Sequence, residues 1–211
     1  MSKLSKCILL FFIILVGASC SNNEQVKAIN ETLEETVDIE QVLEEKQKSL
    51  HELEKQDEAL YDEMIELGNE DIEKLQQRSK EAIKLLDERL DIKEEEKEVI
   101  DESKATFEQI ELLIESLEEE EKRAHVEKMF ETMMNRYDSY IDVYDHYIES
   151  IHLTKELYRH FQEEQFSETK VYALLSNVND SYDEVERANE TFNTYTKMYN
   201  ELKREYYDEY N

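Results

Sequence analysis

Glu149 and His152 form one Glu-x-x-His pair, the element that di-iron bundles place on each of two helices. The chain holds no second copy, so that centre cannot be completed. His152, Glu156 and His160 follow at one-turn intervals and would chelate zinc only weakly. On so charged a helix they read instead as surface residues, as does His146. No HExxH, GxSxG, GxGxxG or paired CxxC occurs, and a nucleophile such as Ser139 has no base beside it. The residue types therefore offer no catalytic residue, no metal site and no cofactor.

Tyrosines and lysines supply the remaining candidates. Tyr137, Tyr140, Tyr144, Tyr147 and Ile151 are spaced three, four, three and four apart, which puts them on one helical stripe widened by Ile141 and Ile148. Such a stripe is chiefly core, with the phenolic oxygen reaching water at its edge. Tyr195, Tyr206, Tyr207 and Tyr210 could instead stack on sugar rings or a partner helix. Lys93, Lys97 and Lys104 fall where apolar residues belong on their segment. They either make a cationic patch in an acidic protein or snorkel outward to pair with the surrounding acids.

The strongest local signal lies at the start. Met1 to Cys20 combines Lys3 and Lys6, an apolar run from Ile8 to Val16, and the small residues Gly17, Ala18 and Ser19. A positive start, a short apolar core and a small-residue site make an export signal, too short to remain as a membrane span. Gly17, Ala18, Ser19 and Cys20 also resemble the lipobox of bacterial lipoproteins, with Gly17 where Leu is more usual. The resemblance implies cleavage between Ser19 and Cys20 and a diacylglyceryl, palmitate-class anchor on the Cys20 sulfur. Cysteine usage agrees: Cys7 leaves with the signal, so Cys20 has no disulfide partner. Two acyl chains anchor stably where one is marginal, at about 0.8 kcal/mol per buried methylene.

Composition narrows the fold. The 211 residues include no Pro, no Trp and two glycines, Gly17 and Gly68, while 37% are charged. Turns, phosphate loops and bulges depend on Gly and Pro, so the class is all-α. A net charge of −29, more acidic still once Lys3 and Lys6 are removed, excludes nucleic acid as a partner. Acidic runs such as 94–96 and 118–121 read as solvated helix faces.

Four periodic segments follow one another. After a polar tether over residues 20–32, at whose end Thr32 and Glu35 could form a capping box, the first stripe runs from Leu43 through Leu50, Leu53 and Leu60 to Met64 and Leu67. Gly68 ends it and Asn69 caps the next helix. The second runs from Ile72 to Leu117, loosened around Lys93, and turns near 116–122, where Ser116 and Glu119 suggest a capping box. The third runs from Val126 to Phe161. Ser167 then caps the fourth, with Phe166 and Val171 as a hydrophobic staple, and its stripe continues to Tyr206. Segments of about 40 residues, each about 60 Å long, predict an elongated antiparallel up-and-down four-helix bundle with coiled-coil-like seams. The expected organisation is a signal peptide over 1–19, lipidated Cys20 and tether over 20–32, and one bundle domain over 33–211.

Taken whole, the chain resembles the YkyA-like family of cell-wall-binding lipoproteins of Gram-positive bacteria. The likeness is carried by the lipobox cysteine, MIELG at Met64–Gly68, RYDSYIDVYDHY from Arg136, and ANETFNTYTKMYNELKREYY from Ala188 to Tyr207. It implies a four-helix bundle, lipid-anchored to the outer face of the cell membrane, with Cys20 its one functional residue. The expected function is non-enzymatic binding of peptidoglycan or scaffolding of the envelope. The alternative is an adaptor that binds another envelope protein through a helical face.

Overall fold

Helix propensity and heptad spacing, with a single glycine after the first twenty residues, leave the chain little but helix to form. In the computed structural model, which describes residues 24–68, 70–165 and 167–210, six helices follow in order. They are α1 (Glu24–Glu40), α2 (Leu43–Leu67), α3 (Ile72–Phe107), α4 (Ile110–Ile114), α5 (Glu120–His160) and α6 (Glu168–Tyr210). The fold is all-α, and no strand occurs among the described residues. The four expected segments correspond to α1–α2, α3–α4, α5 and α6. Short turns at 41–42 and 108–109 interrupt the first two.

Several boundaries differ in detail from the sequence expectation. The segment expected as tether is helical from Glu24, and Val26 and Ile29 are fully buried. Thr32 lies inside α1 and donates to the Ala28 carbonyl instead of capping a helix. Gly68 closes α2 with φ +49° and its N–H on the Met64 carbonyl, as a left-handed terminal residue should. Asn69 lies outside the described residues; it is Asp71 that caps α3, its Oδ1 accepting from the Lys74 N–H at 3.0 Å. The turn before α5 occupies 115–119. Ser116 serves its near side, donating to the Leu113 carbonyl at 2.6 Å, so no capping box forms with Glu119. Ser167 caps α6 by accepting from Lys170 N–H at 3.4 Å; Phe166, the other half of the expected staple, lies outside the described residues.

The chain divides into two compact units. The described part of unit 1 comprises 45–96 and 142–188, and that of unit 2 comprises 24–44, 97–141 and 189–210. Helices α3, α5 and α6 contribute one stretch to each. Within unit 1, Gln76 bonds Gln162, Ser79 bonds Tyr158 and Arg89 bonds Tyr147, so α3 and α5 run antiparallel. Lys46 with Glu95 and Glu63 with Lys74 show the same of α2 and α3. Within unit 2, Ser103 meets Tyr137 and Phe107 meets Phe130, while Arg136 meets Thr196 and His125 meets Leu202. Each unit is thus four antiparallel helical segments around its own core.

The seam of α3 and α4 explains the packing. Leu75, Ser79, Ala82, Leu86, Arg89, Lys93, Glu96, Ile100, Ser103, Phe107, Ile110, Ile114 and Leu117 are all buried. Their spacing alternates four and three without a break, the knobs-into-holes repeat. Five of those positions are polar, and two anchor the features described next.

Candidate functional site

In unit 1 the central polar group is Arg89, one of four polar seam residues there and fully buried on α3. Its Nη1 donates to Asp57 Oδ2 of α2 at 3.0 Å, its Nε to Tyr147 Oη of α5 at 2.9 Å, and its Nη2 to Tyr182 Oη of α6 at 3.3 Å. Tyr158 Oη donates to the other Asp57 oxygen at 2.8 Å, and Tyr147 Oη donates to Glu54 at 3.0 Å. The guanidinium carbon lies 5.2 Å from the centre of the Tyr147 ring. Burial works against the arginine charge, but Tyr147, Tyr182, Glu54 and Asp57 outweigh it and hold the group charged. Burial raises the Asp57 carboxyl above its ordinary range, with Arg89 and Tyr158 offsetting part of the shift. Beside this centre is a cleft between Tyr61, Thr154, Tyr158 and Tyr182 whose free volume, about 10 Å³, suits a single water.

Unit 2 has a counterpart. Arg136 of α5, 2% exposed, forms a two-pronged pair with Glu40 of α1, both N–O distances being 2.8 Å. Its Nε reaches Thr196 Oγ1 of α6 at 3.2 Å, and its charge lies 5.0 Å from the Phe192 ring. Ser103 of α3 donates to Glu40 at 2.7 Å and meets Tyr137 Oη at 2.7 Å. Four helical segments therefore converge on each arginine. The donors and acceptors close on one another, so both centres work as clamps on helix register.

The lysines singled out from sequence are engaged by acids. Lys93 is buried, 2.5 Å from Glu96 and over the Tyr147 ring. Lys97 meets Asp101 at 2.5 Å, and Lys104 meets Asp138 at 3.0 Å. Only Lys93 stands in the seam; the expected loosening is replaced by a continuous buried polar stretch. Among the histidines, His152 and Glu156 are exposed, whereas His160 is buried and serves the turn before α6. There its Nε2 accepts from Ser167 N–H at 3.1 Å and its Nδ1 faces Glu163 at 3.0 Å. Among the described residues no group of three His, Cys, Asp or Glu side chains is placed to hold a metal. Ser19 and Cys20 lie outside the described residues.

Three of the four C-terminal tyrosines come together. The Tyr206 ring is 5.7 Å from Tyr207 and 5.8 Å from Tyr210, and His125 of α5 is 5.8 Å from Tyr210 and bonds the Leu202 carbonyl. Lys122 lies over Tyr210 at 5.3 Å and Lys203 over Tyr207 at 5.9 Å. Tyr206 is fully buried, so its ring cannot stack on a ligand, and its hydroxyl has no hydrogen-bond partner among the described residues. Tyr207 and Tyr210 are half-buried and keep an outer edge. Burial pushes the Tyr207 hydroxyl up to about 12 and the Lys203 amine down to about 8. Tyr195, about three turns earlier on α6, is half-buried. Sequence reasoning missed the two arginine centres and Tyr172, the most exposed of the tyrosines at 73%.

Residues 24–209 match the model of the YkyA family, described as "Putative cell-wall binding lipoprotein". The chain belongs to this family. The matched span takes in α1 to α5 and α6 up to residue 209, so both arginine centres lie within the YkyA-family region. The uncharacterized lipoprotein YkyA of Bacillus subtilis (strain 168) is 26% identical over 194 residues, covering 92% of this chain and 87% of that protein. A crystal structure of a conserved protein of unknown function from Staphylococcus aureus is similar with a TM-score of 0.74. It covers 90% of this chain and 97% of the other at 16% identity, a likeness of fold. The YkyA family is one of lipoproteins, and no helix among the described residues is long and apolar enough to cross a membrane.

Proposed function

We propose that the protein is a lipid-anchored, extracytoplasmic and non-enzymatic module of the cell envelope that contacts peptidoglycan. The supporting observation is that the match to the family described as "Putative cell-wall binding lipoprotein" runs over residues 24–209, nearly all of the helical region. The buried polar groups agree with this reading, since the Arg89 and Arg136 charges are satisfied by partners on neighbouring helices and the cleft beside Asp57 has only water-sized free volume. Signal cleavage before Cys20 and lipidation of its sulfur belong to the same proposal. Contact with glycan requires rings with a free face, which favours Tyr172 and Tyr195 over buried Tyr206.

Co-sedimentation of residues 22–211 with purified peptidoglycan tests the binding, with and without its anionic polymers and across a salt and calcium series. Retention on bare peptidoglycan is expected, since the net charge of −29 disfavours anionic polymers. Absence of binding under every condition would overturn wall contact. A second reading, an adaptor for another envelope protein, draws on Ile65 and Ile72, which are 49% and 38% exposed on either side of the Gly68 turn. A stoichiometric partner crosslinked on intact cells would support it.

A further inference from the structure

Unit 2 contains its own measure of where the anchor sits. Glu40, Arg136 and Thr196 meet at one level. From there α1 runs back to Glu24 over about 24 Å, α5 runs back to Glu120 over about 24 Å, and α6 runs on to Tyr210 over about 21 Å. The three ends therefore coincide. Intermediate contacts agree: Glu34 acts electrostatically on both Lys203 and Tyr207, and His125 and Lys122 lie against Tyr210.

From Cys20 to Glu24 is four Cα steps, at most about 14 Å. Resting on the anchoring of Cys20 proposed above, we infer that this end of unit 2 is a foot held against the lipid surface. Tyr207 and Tyr210 meet the headgroup interface there. Tyrosine suits that boundary because its ring is apolar and its hydroxyl polar. The linker is too short to let the foot drift far, so the tyrosines stay within reach of the bilayer whichever way the chain tilts. Opposing the contact are Glu24, Glu118 to Glu121, Asp208 and Glu209, which repel anionic headgroups across roughly one Debye length. Lys122 and Lys203, held over tyrosine rings, offset part of that charge. The contact consequently strengthens as salt rises, opposite to a basic membrane-binding protein.

The absence of tryptophan makes the test direct. Chain produced in cells with its own signal segment and carrying Tyr210→Trp is purified and reconstituted into phosphatidylglycerol–phosphatidylethanolamine vesicles with or without a nitroxide on the headgroup. Met198→Trp, exposed on the same helix about 18 Å from Tyr210, is the comparison. Flotation and helical circular dichroism are read on each sample. The expected result is about a twofold loss of Tyr210→Trp emission on nitroxide vesicles, larger in 0.5 M than in 0.05 M salt, with little loss for Met198→Trp. Equal emission loss for the two variants on floating vesicles would overturn the foot and leave the anchor standing. Failure of the chain to float would overturn the anchor and the foot together.

Discussion

Replacing Arg136 with Met leaves Glu40, 8% exposed, with a buried carboxylate and one remaining donor, the Ser103 hydroxyl. Removing one partner of a buried pair costs about 3–5 kcal/mol, because the other charge stays desolvated and uncompensated. Glu40→Met should cost a similar amount by orphaning the guanidinium. The double variant Glu40→Met/Arg136→Met loses both charges together. It should recover most of the loss, giving a coupling energy of about 3 kcal/mol or more. Melting followed at 222 nm should fall by about 6–20 °C in each single variant, at about 2–4 °C per kcal/mol for a chain of this size. Urea titration separates a change of midpoint from a change of slope. Single variants within about 1 kcal/mol of the parent, or a double variant as unstable as the sum of the singles, would refute the clamp.

Three further outcomes follow from the same structure. Tyr137, Tyr147, Tyr158, Tyr199 and Tyr206 all have hydroxyls raised above 10, first of all by burial. The folded chain holds those protons more tightly than the unfolded one, so their contribution is complete below pH 10 and is lost as pH rises beyond it. Each costs about 1.4 kcal/mol per pH unit there, so helix signal should collapse between pH 10 and 11.5. Phenolate absorbance that titrates near pH 10 with the helices intact would contradict this. Lys203, depressed to about 8 chiefly by burial, acts in the other direction, adding stability as pH rises from 8 to about 10.4. Gly68→Ala should cost about 1–2 kcal/mol in urea titration, through the left-handed backbone alone, since no atom lies within 4 Å of an added Cβ. A neutral result would mean that the turn relaxes.

The helical class, the Gly68 stop and the Ser167 cap were legible because each depends on local chemistry. What escaped reading was the seam wherever it turned polar. Val26, Ile29, Leu33, Thr36, Glu40 and Leu43 alternate three and four apart, and all are buried, so α1 continues the first stripe backward. Counting only apolar residues lost that thread at Thr36 and Glu40 and turned the segment into a tether. In α3 the gap between Leu90 and Ile100 invited a projection through Lys97 and Lys104, whereas the true repeat passes through Arg89, Lys93 and Glu96. Asp57, one repeat after Leu50, was the partner that would have justified a buried arginine. Polar seam positions are intelligible only in pairs, and pairing across helices is not written in the spacing of one helix. The breaks at 41–42 and 108–109 likewise carry neither Gly nor Pro.

Fractionation of cells producing the parent chain and the Cys20→Ala variant tests the anchored-module account most directly. The account predicts that the parent stays with membranes through a high-salt wash and leaves them only in detergent. The Cys20→Ala variant should lose that retention and appear in the soluble fraction or on the wall. Equal membrane retention of the two chains would contradict lipid attachment at Cys20, and the proposed envelope role would lose its tether.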